Sequence, residues 1–296
     1  MSRKKVRPGF EVNQIAPNVH EIHFREIRSG WEQWVLLSSD RHHDNAWCDH
    51  DLERKHLEQA AERNAVIIDA GDLFDAMQGK DDRRSSKDQL RVENKRTAYL
   101  DSLLKEAAEF YGPYAGNFAV IGRGNHETAV LEKHGVDLIS NFVHRLNADH
   151  DGNAYAGGYG GWVVFRFHIQ KTVIVSRHLK YFHGSGGGGP VTRGVIQTNR
   201  MAVMYPDADI VFSGHTHDAW IMPIARERIS QRGMQFQDLS YHVRTPTYKD
   251  EYRAGEGGWH VERGGPPKPI GAMWLKFMLV NSSSGRMDFE MTQALR

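Results

Sequence analysis

Five short stretches of this sequence carry side chains that bind metals. Asp40 and His42 lie in "SSDRHHDN", Asp72 in "DAGDLFDA", Asn125 in "GRGNHET", a histidine in "RHLKYFHG", and His215 with His217 in "SGHTHD". One HxH pair decides nothing in a chain with 17 histidines, so the weight rests on all five stretches together. Carboxylate, imidazole and amide oxygen donors without thiolate suit divalent ions such as manganese, iron or zinc. Seven donors exceed the needs of one ion. Two ions sharing a carboxylate, roughly 3.5 to 4 Å apart, match the number and suit phosphoester hydrolysis.

Something must bring these stretches together. Each follows a short apolar run rich in β-branched residues: "WVLL" from Trp34, "AVII" from Ala65, "FAVI" from Phe118, "TVIV" from Thr172 and "DIVF" from Asp209. Such runs read as core strands. Between them lie helical patterns. One is "DLERKHLEQAAERN", capped by Asp49 or Asp51; a second follows Ser85 and Ser86 and turns Leu90, Tyr99, Leu103 and Leu104 inward; a third is "VDLISNFVHRL". The alternation predicts an α/β architecture with a largely parallel sheet, and the carboxyl ends of its strands would face one crevice. "GGWVVFRFHIQKTVIVS" reads as an antiparallel hairpin. We expect a single domain over 1–296, with a motif-bearing core at 30–220. Residues 221–296 should add strands and a Gly/Pro-rich loop packed on that same domain.

Composition narrows the function classes. A hydrophobic content of 40% supports a real core, and a net charge of +1 advertises no polyanionic partner. Cys48 is the only cysteine, which excludes an internal disulfide framework and a thiolate-rich zinc module. With no apolar run near 18 residues, the expectation is a soluble, cytoplasmic protein without a membrane partner.

The order DxH, GDxxD, GNH(E/D), a later histidine and GHxH, from Asp40 to His217, resembles the calcineurin-like metallophosphoesterases. The resemblance implies two packed mixed β-sheets flanked by helices. It implies that Asp40, His42 and His217 hold one divalent ion, that Asn125, His183 and His215 hold the other, and that Asp72 bridges. Manganese comes first among the candidate metals, then iron or zinc. His178 competes with His183 for the fourth motif. His126 would act on the substrate, with Asp75 as its orienting partner, while a metal-bound hydroxide attacks phosphorus in line. "RGNHE" also resembles the phosphoprotein phosphatase branch, in which Arg123 would contact phosphate. "GDLFD" resembles the Mre11 and SbcD nuclease branch, which implies a phosphodiester such as DNA, RNA or a cyclic nucleotide. A phosphomonoesterase, or a scaffold that holds metal without turnover, stands as the alternative.

Other residues carry two readings each. Arg41, His43 and Asp44 either support the site or belong to a solvated loop. His50, His56, His134, His144 and His150 are expected to be exposed. "GSGGGGP", from Gly184, is either a linker or a loop over the site. Trp220, Tyr241, Tyr248, Tyr252 and Trp259, with Arg244 and Lys249, either meet nucleic acid or pack a core.

Overall fold

The computed structural model describes residues 9–76, 91, 98–169, 173–187, 191–253, 259–262 and 264–296. Ser85 and Ser86, expected just before the second helix, and Leu90, expected on its inward face, lie outside the described residues, as does the later part of the glycine stretch.

The strands form two mixed sheets. The seven-stranded sheet runs β1 (Phe10–Ala16), β2 (Val19–Ile27), β7 (Gly160–Ile169), β8 (Val173–Phe182), β9 (Ile210–Ser213), β11 (Gln235–Arg244), β10 (Trp220–Ile229). The six-stranded sheet runs β13 (Arg286–Leu295), β12 (Gly271–Asn281), β3 (Glu32–Ser38), β4 (Val66–Asp69), β5 (Phe118–Ile121), β6 (Tyr155–Ala156). The five expected core strands are β3, β4, β5, β8 and β9, and the expected hairpin is β7–β8. A largely parallel single sheet is not what forms. Antiparallel pairs β1–β2, β7–β8, β10–β11 and β12–β13 enlarge two separate parallel centres. The strands after Trp220 thus join both sheets.

Burial explains the layering. Val35, Leu37, Ile68 and Phe277 on one sheet face Phe24, Phe165, Phe167 and Phe212 on the other, forming an inter-sheet core. The opposite face of the six-stranded sheet, with Leu36, Ile67 and Trp274, buries α1 (His50–Glu62), α2 (Tyr99–Tyr111) and α4 (Leu138–His150). Helix α5 (Val195–Met204) packs Met201 on Val211 of the seven-stranded sheet. Helix α3 (Asn125–His134) follows β5 directly, and α6 (Trp259–Glu262) is a single turn. The order is helix, sheet, sheet, helix. Asp49 caps α1, its side chain accepting from the Leu52 N–H at 3.1 Å.

Candidate metal centre

The carboxyl ends of β3, β4 and β5 in one sheet, and of β8 and β9 in the other, meet at one edge of the sandwich. Asp40 follows β3, Asp72 follows β4, Asn125 opens α3 after β5, His183 follows β8, and His215 and His217 follow β9. Asp40, His42, Asp72, His215 and His217 all adopt positive φ, between 48° and 72°. Non-glycine residues rarely take this conformation, and such strain gathers at functional sites. Glycine lets the strand ends approach. A Cβ on Gly124 would lie 2.0 Å from Asp72 Oδ1, and one on Gly214 would lie 2.3 Å from Asp40 Oδ2.

Two donor groups result. In the first, Asp40, His42 and His217 converge: His217 Nε2 is 3.2 Å from Asp40 Oδ1 and 3.4 Å from His42 Nε2. Asp40 Oδ1 is buried without a hydrogen bond, so its lone pairs face the imidazoles unsatisfied. In the second, Asp72, His183 and His215 converge. Asn125 Oδ1 joins them, 3.1 Å from His183 Nε2 and 2.7 Å from His215 Nδ1. His183 Nδ1 donates to the Ala70 carbonyl at 3.0 Å, which leaves Nε2 to act as a ligand. The groups are tied together, since the His215 backbone N–H donates to Asp40 Oδ2 at 2.9 Å.

The electrostatics call for cations. Burial resists charge on both Asp40 and Asp72, yet the neighbouring histidines hold each carboxyl below its ordinary range. Burial likewise resists charge on His183, but Asp72 and Asp40 lift its pKa to about 9. Clustered carboxylates are holding a proton on the His183 imidazole, a positive charge that a divalent ion would supply in its place. The oxygen and imidazole donors therefore fit two divalent cations, three donors or more to each.

A profile of the calcineurin-like phosphoesterases matches residues 34–219, more than half of the chain. The chain belongs to the calcineurin-like phosphoesterase family. Among curated proteins none matches the sequence. Solved structures similar to this calcineurin-like phosphoesterase include Vps29 from Entamoeba histolytica, complexed with zinc, at 11% identity and a TM-score of 0.36, covering 88% of this chain and 99% of that one. The calcineurin-like phosphoesterase YfkN from Bacillus subtilis has 12% identity and a TM-score of 0.35, covering 90% of each chain. GAP50 of Plasmodium has 12% identity and a TM-score of 0.41, covering 89% of each.

The remaining expected residues divide. His126 sits between the two groups, its ring 4.9 Å from that of His42 and its Nε2 3.7 Å from Asp72 Oδ2. Its Nδ1 donates to the backbone carbonyl of Asp75 at 2.5 Å. Asp75 orients His126 through that carbonyl, while its carboxylate serves others: Asn45 Nδ2 at 2.7 Å, His42 Nδ1 at 2.9 Å and Lys249 Nζ at 3.4 Å. Burial opposes charge on His126, but Asp72 and Asp75 outweigh it and raise its pKa. Arg123 pairs its Nη2 with Asp137, the N-cap residue of α4, while its buried Nε has no hydrogen-bond partner. His178 lies within β8, its ring 3.3 Å from the Asp207 carbonyl, so His183 alone of the two reaches the donor group.

Of the two readings for Arg41, His43 and Asp44, burial favours support of the site over a solvated loop, since all three are buried. Arg41 donates to Asp69 at 2.8 Å, Glu53 at 2.7 Å and Ser38 at 2.8 Å, and His43 Nε2 contacts Glu106 at 2.9 Å. Asp44 accepts the Asp75 and Ala76 N–H groups at 2.6 and 3.0 Å, fixing the loop that carries Asp72. The exposure expected of His56 and His50 fails: His56 is buried, 2.9 Å from the Tyr248 hydroxyl, and a ring nitrogen of half-buried His50 contacts the His43 carbonyl at 2.8 Å. Tyr248 is buried in the core and presents no face for a base to stack on, while half-buried Tyr241 meets Phe289 edge-on.

Sequence reasoning missed Glu127. Its carboxylate accepts from the backbone N–H groups of Gly124, Phe74 and Asp72, at 2.8, 2.9 and 3.1 Å. It pins two ligand loops to each other. Burial, reinforced by the Asp72 charge, raises its pKa to about 7. The signal was available, because an acid three residues into a helix commonly accepts the N-cap N–H.

Proposed function

We propose that this protein hydrolyses a phosphodiester, of nucleotide or nucleic-acid type, with two divalent cations and with manganese as the first candidate. The observation that carries this reading is the pair of donor groups joined across two sheets, five of their residues held at positive φ. Asp40, His42 and His217 would hold one ion; Asn125, His183 and His215 would hold the other. Asp72 would serve both through Oδ2, which lies 3.2 Å from His183 Nε2 and 3.7 Å from His126 Nε2, while its Oδ1 is held by the His126 backbone N–H at 2.9 Å. When bound, such ions supply positive charge against phosphoryl oxygens and lower the pKa of an attacking water.

The chain's own residues do the rest. The Asp75 carbonyl fixes His126 so that Nδ1 carries a proton and Nε2 faces the site, where it delivers a proton to the departing oxygen. One feature supports a diester over a monoester, the GDLFD stretch.

The test compares bis-p-nitrophenyl phosphate with p-nitrophenyl phosphate, with and without manganese. Manganese-dependent cleavage of the diester is expected, falling roughly 100-fold or more in His126→Ala and in Asp72→Asn. Cleavage of the monoester alone would overturn the diester reading, and unchanged rates in both variants would overturn the mechanism. A protein that binds manganese and cleaves neither would be a scaffold.

A further inference from the structure

Arg244 ends β11, beyond the stretch that defines the family, and its side chain is buried with no exposed surface. Its Nη1 donates to the Gly214 carbonyl at 2.6 Å, directly before the candidate ligand His215. Its Nε and Nη2 are buried and bond to nothing. Among the described residues no carboxylate lies within ion-pair distance of it. A buried guanidinium with two unmet donors is costly unless something accepts them.

Those donors face a second anion-seeking feature. A Cβ on Gly194, the N-cap residue of α5, would lie 3.1 Å from Arg244 Nη2. Helix α5 has ten residues, and no side chain caps its first turn. Helix N-termini carry partial positive charge and open N–H groups, so a cation beside one repels it unless an anion lies between. The place adjoins the second donor group. A Cβ on Gly184, next to His183, would lie 2.7 Å from His215 Cβ and 3.3 Å from Arg244 Nη1.

We propose that Arg244 and the N-terminus of α5 form an anion subsite that takes the phosphate flanking the scissile one in a nucleotide or nucleic-acid substrate. This rests on the phosphodiesterase reading above and gives its substrate a class, a diester with a second phosphate next to the one attacked. Once the groups covering Arg244 move aside, the planar guanidinium offers Nε and Nη2 to two oxygens of that phosphate, and the Ile196 and Gln197 N–H groups of α5 meet the others, that of Val195 being taken by the Thr192 carbonyl.

The test uses the dinucleotides d(TpT) and d(pTpT), with manganese. In the unmodified protein kcat/KM should favour the flanked substrate by tenfold or more, and the ratio should collapse toward one in Arg244→Met. Gly194→Asp, at a position with φ of 81° that aspartate tolerates, sets a carboxylate against the guanidinium and should have the same effect. A ratio that survives both substitutions overturns the subsite. If neither dinucleotide is cleaved, the phosphodiesterase reading fails by itself. Calorimetry with inorganic pyrophosphate on chelator-treated protein then decides the subsite: binding weakened tenfold or more by Arg244→Met supports it, and no binding or equal binding overturns it.

Discussion

Among the described residues two arginines are buried completely, and they are buried for different reasons. Arg41 spends its donors on Asp69, Glu53 and Ser38, and the rings of Tyr111, Phe118 and Tyr248 lie within 5.3 to 5.8 Å of its guanidinium. Arg244 makes one hydrogen bond and leaves Nε and Nη2 without a partner. The first is an internal ion cluster closed on itself, and it fixes the loop from Asp40 to His42. The second has the Trp220 ring at 5.5 Å from its guanidinium and feels the charges of Asp40 and Asp218, but two of its donors lack an acceptor, beside the residues proposed to hold metal. Satisfied burial marks a structural part, and unsatisfied burial marks a part awaiting something else.

The largest expected effect falls on the closed cluster. Arg41→Ala should cost about 3–5 kcal/mol of stability, because Asp69 and Glu53 would remain buried without their cation. Urea denaturation measures this, and a loss below about 1 kcal/mol would break the contrast. Glu127→Leu should cost about 2–4 kcal/mol, since it orphans the buried N–H groups of Asp72, Phe74 and Gly124. The same variant should bind manganese more weakly in calorimetry.

Acid should act next. His242, on β11 beside Arg244, is buried with both ring nitrogens unpartnered; burial, with the charges of Arg226 and Arg244, lowers its pKa to about 4. Burial and Arg41 bring His56 to about 4 as well. Both imidazoles stay neutral in the folded protein while the unfolded chain takes up protons near pH 6.5. Their contribution is therefore full above that pH and is lost as pH falls toward 4. Each should contribute roughly 1–2 kcal/mol of the stability lost between pH 7 and 5. Thermal denaturation of His242→Phe should show a shallower acid slope than the unmodified protein. The smallest effect belongs to Arg244→Met, expected within about 1 kcal/mol of the unmodified protein or more stable, because it removes a buried charge two of whose donors have no acceptor. A loss of 3 kcal/mol or more would place Arg244 with Arg41 as a structural part.

The site was legible in sequence because each ligand stretch follows a short apolar run, and Asp72, Asn125, His183 and His215 each sit beside a glycine. Asp72 after "VIID" and His215 after "IVFS" are found by that pattern alone. Periodicity does not report how strands divide between sheets, so the split that sets β8 and β9 opposite β3, β4 and β5 came only from the resemblance. Strands β1 and β2 went unnoticed: their alternating residues, such as His20, Ile22 and Phe24, lie outside the motif-bearing stretch. The Arg41 cluster was hidden for another reason. Charged residues in a loop read as solvated unless their partners, here Glu53 and Asp69, are known to fold back over them. Asp75 shows a finer limit, since the residue was identified but the atom that holds His126 is its backbone carbonyl.

The central claim is that the seven donors form two cation sites. Calorimetric titration of chelator-treated protein with manganese tests it most directly. Two ions should bind per chain, with one lost in His42→Ala combined with His217→Ala and the other lost in His183→Ala combined with Asn125→Ala. A single ion, or two that survive both double substitutions, would contradict it.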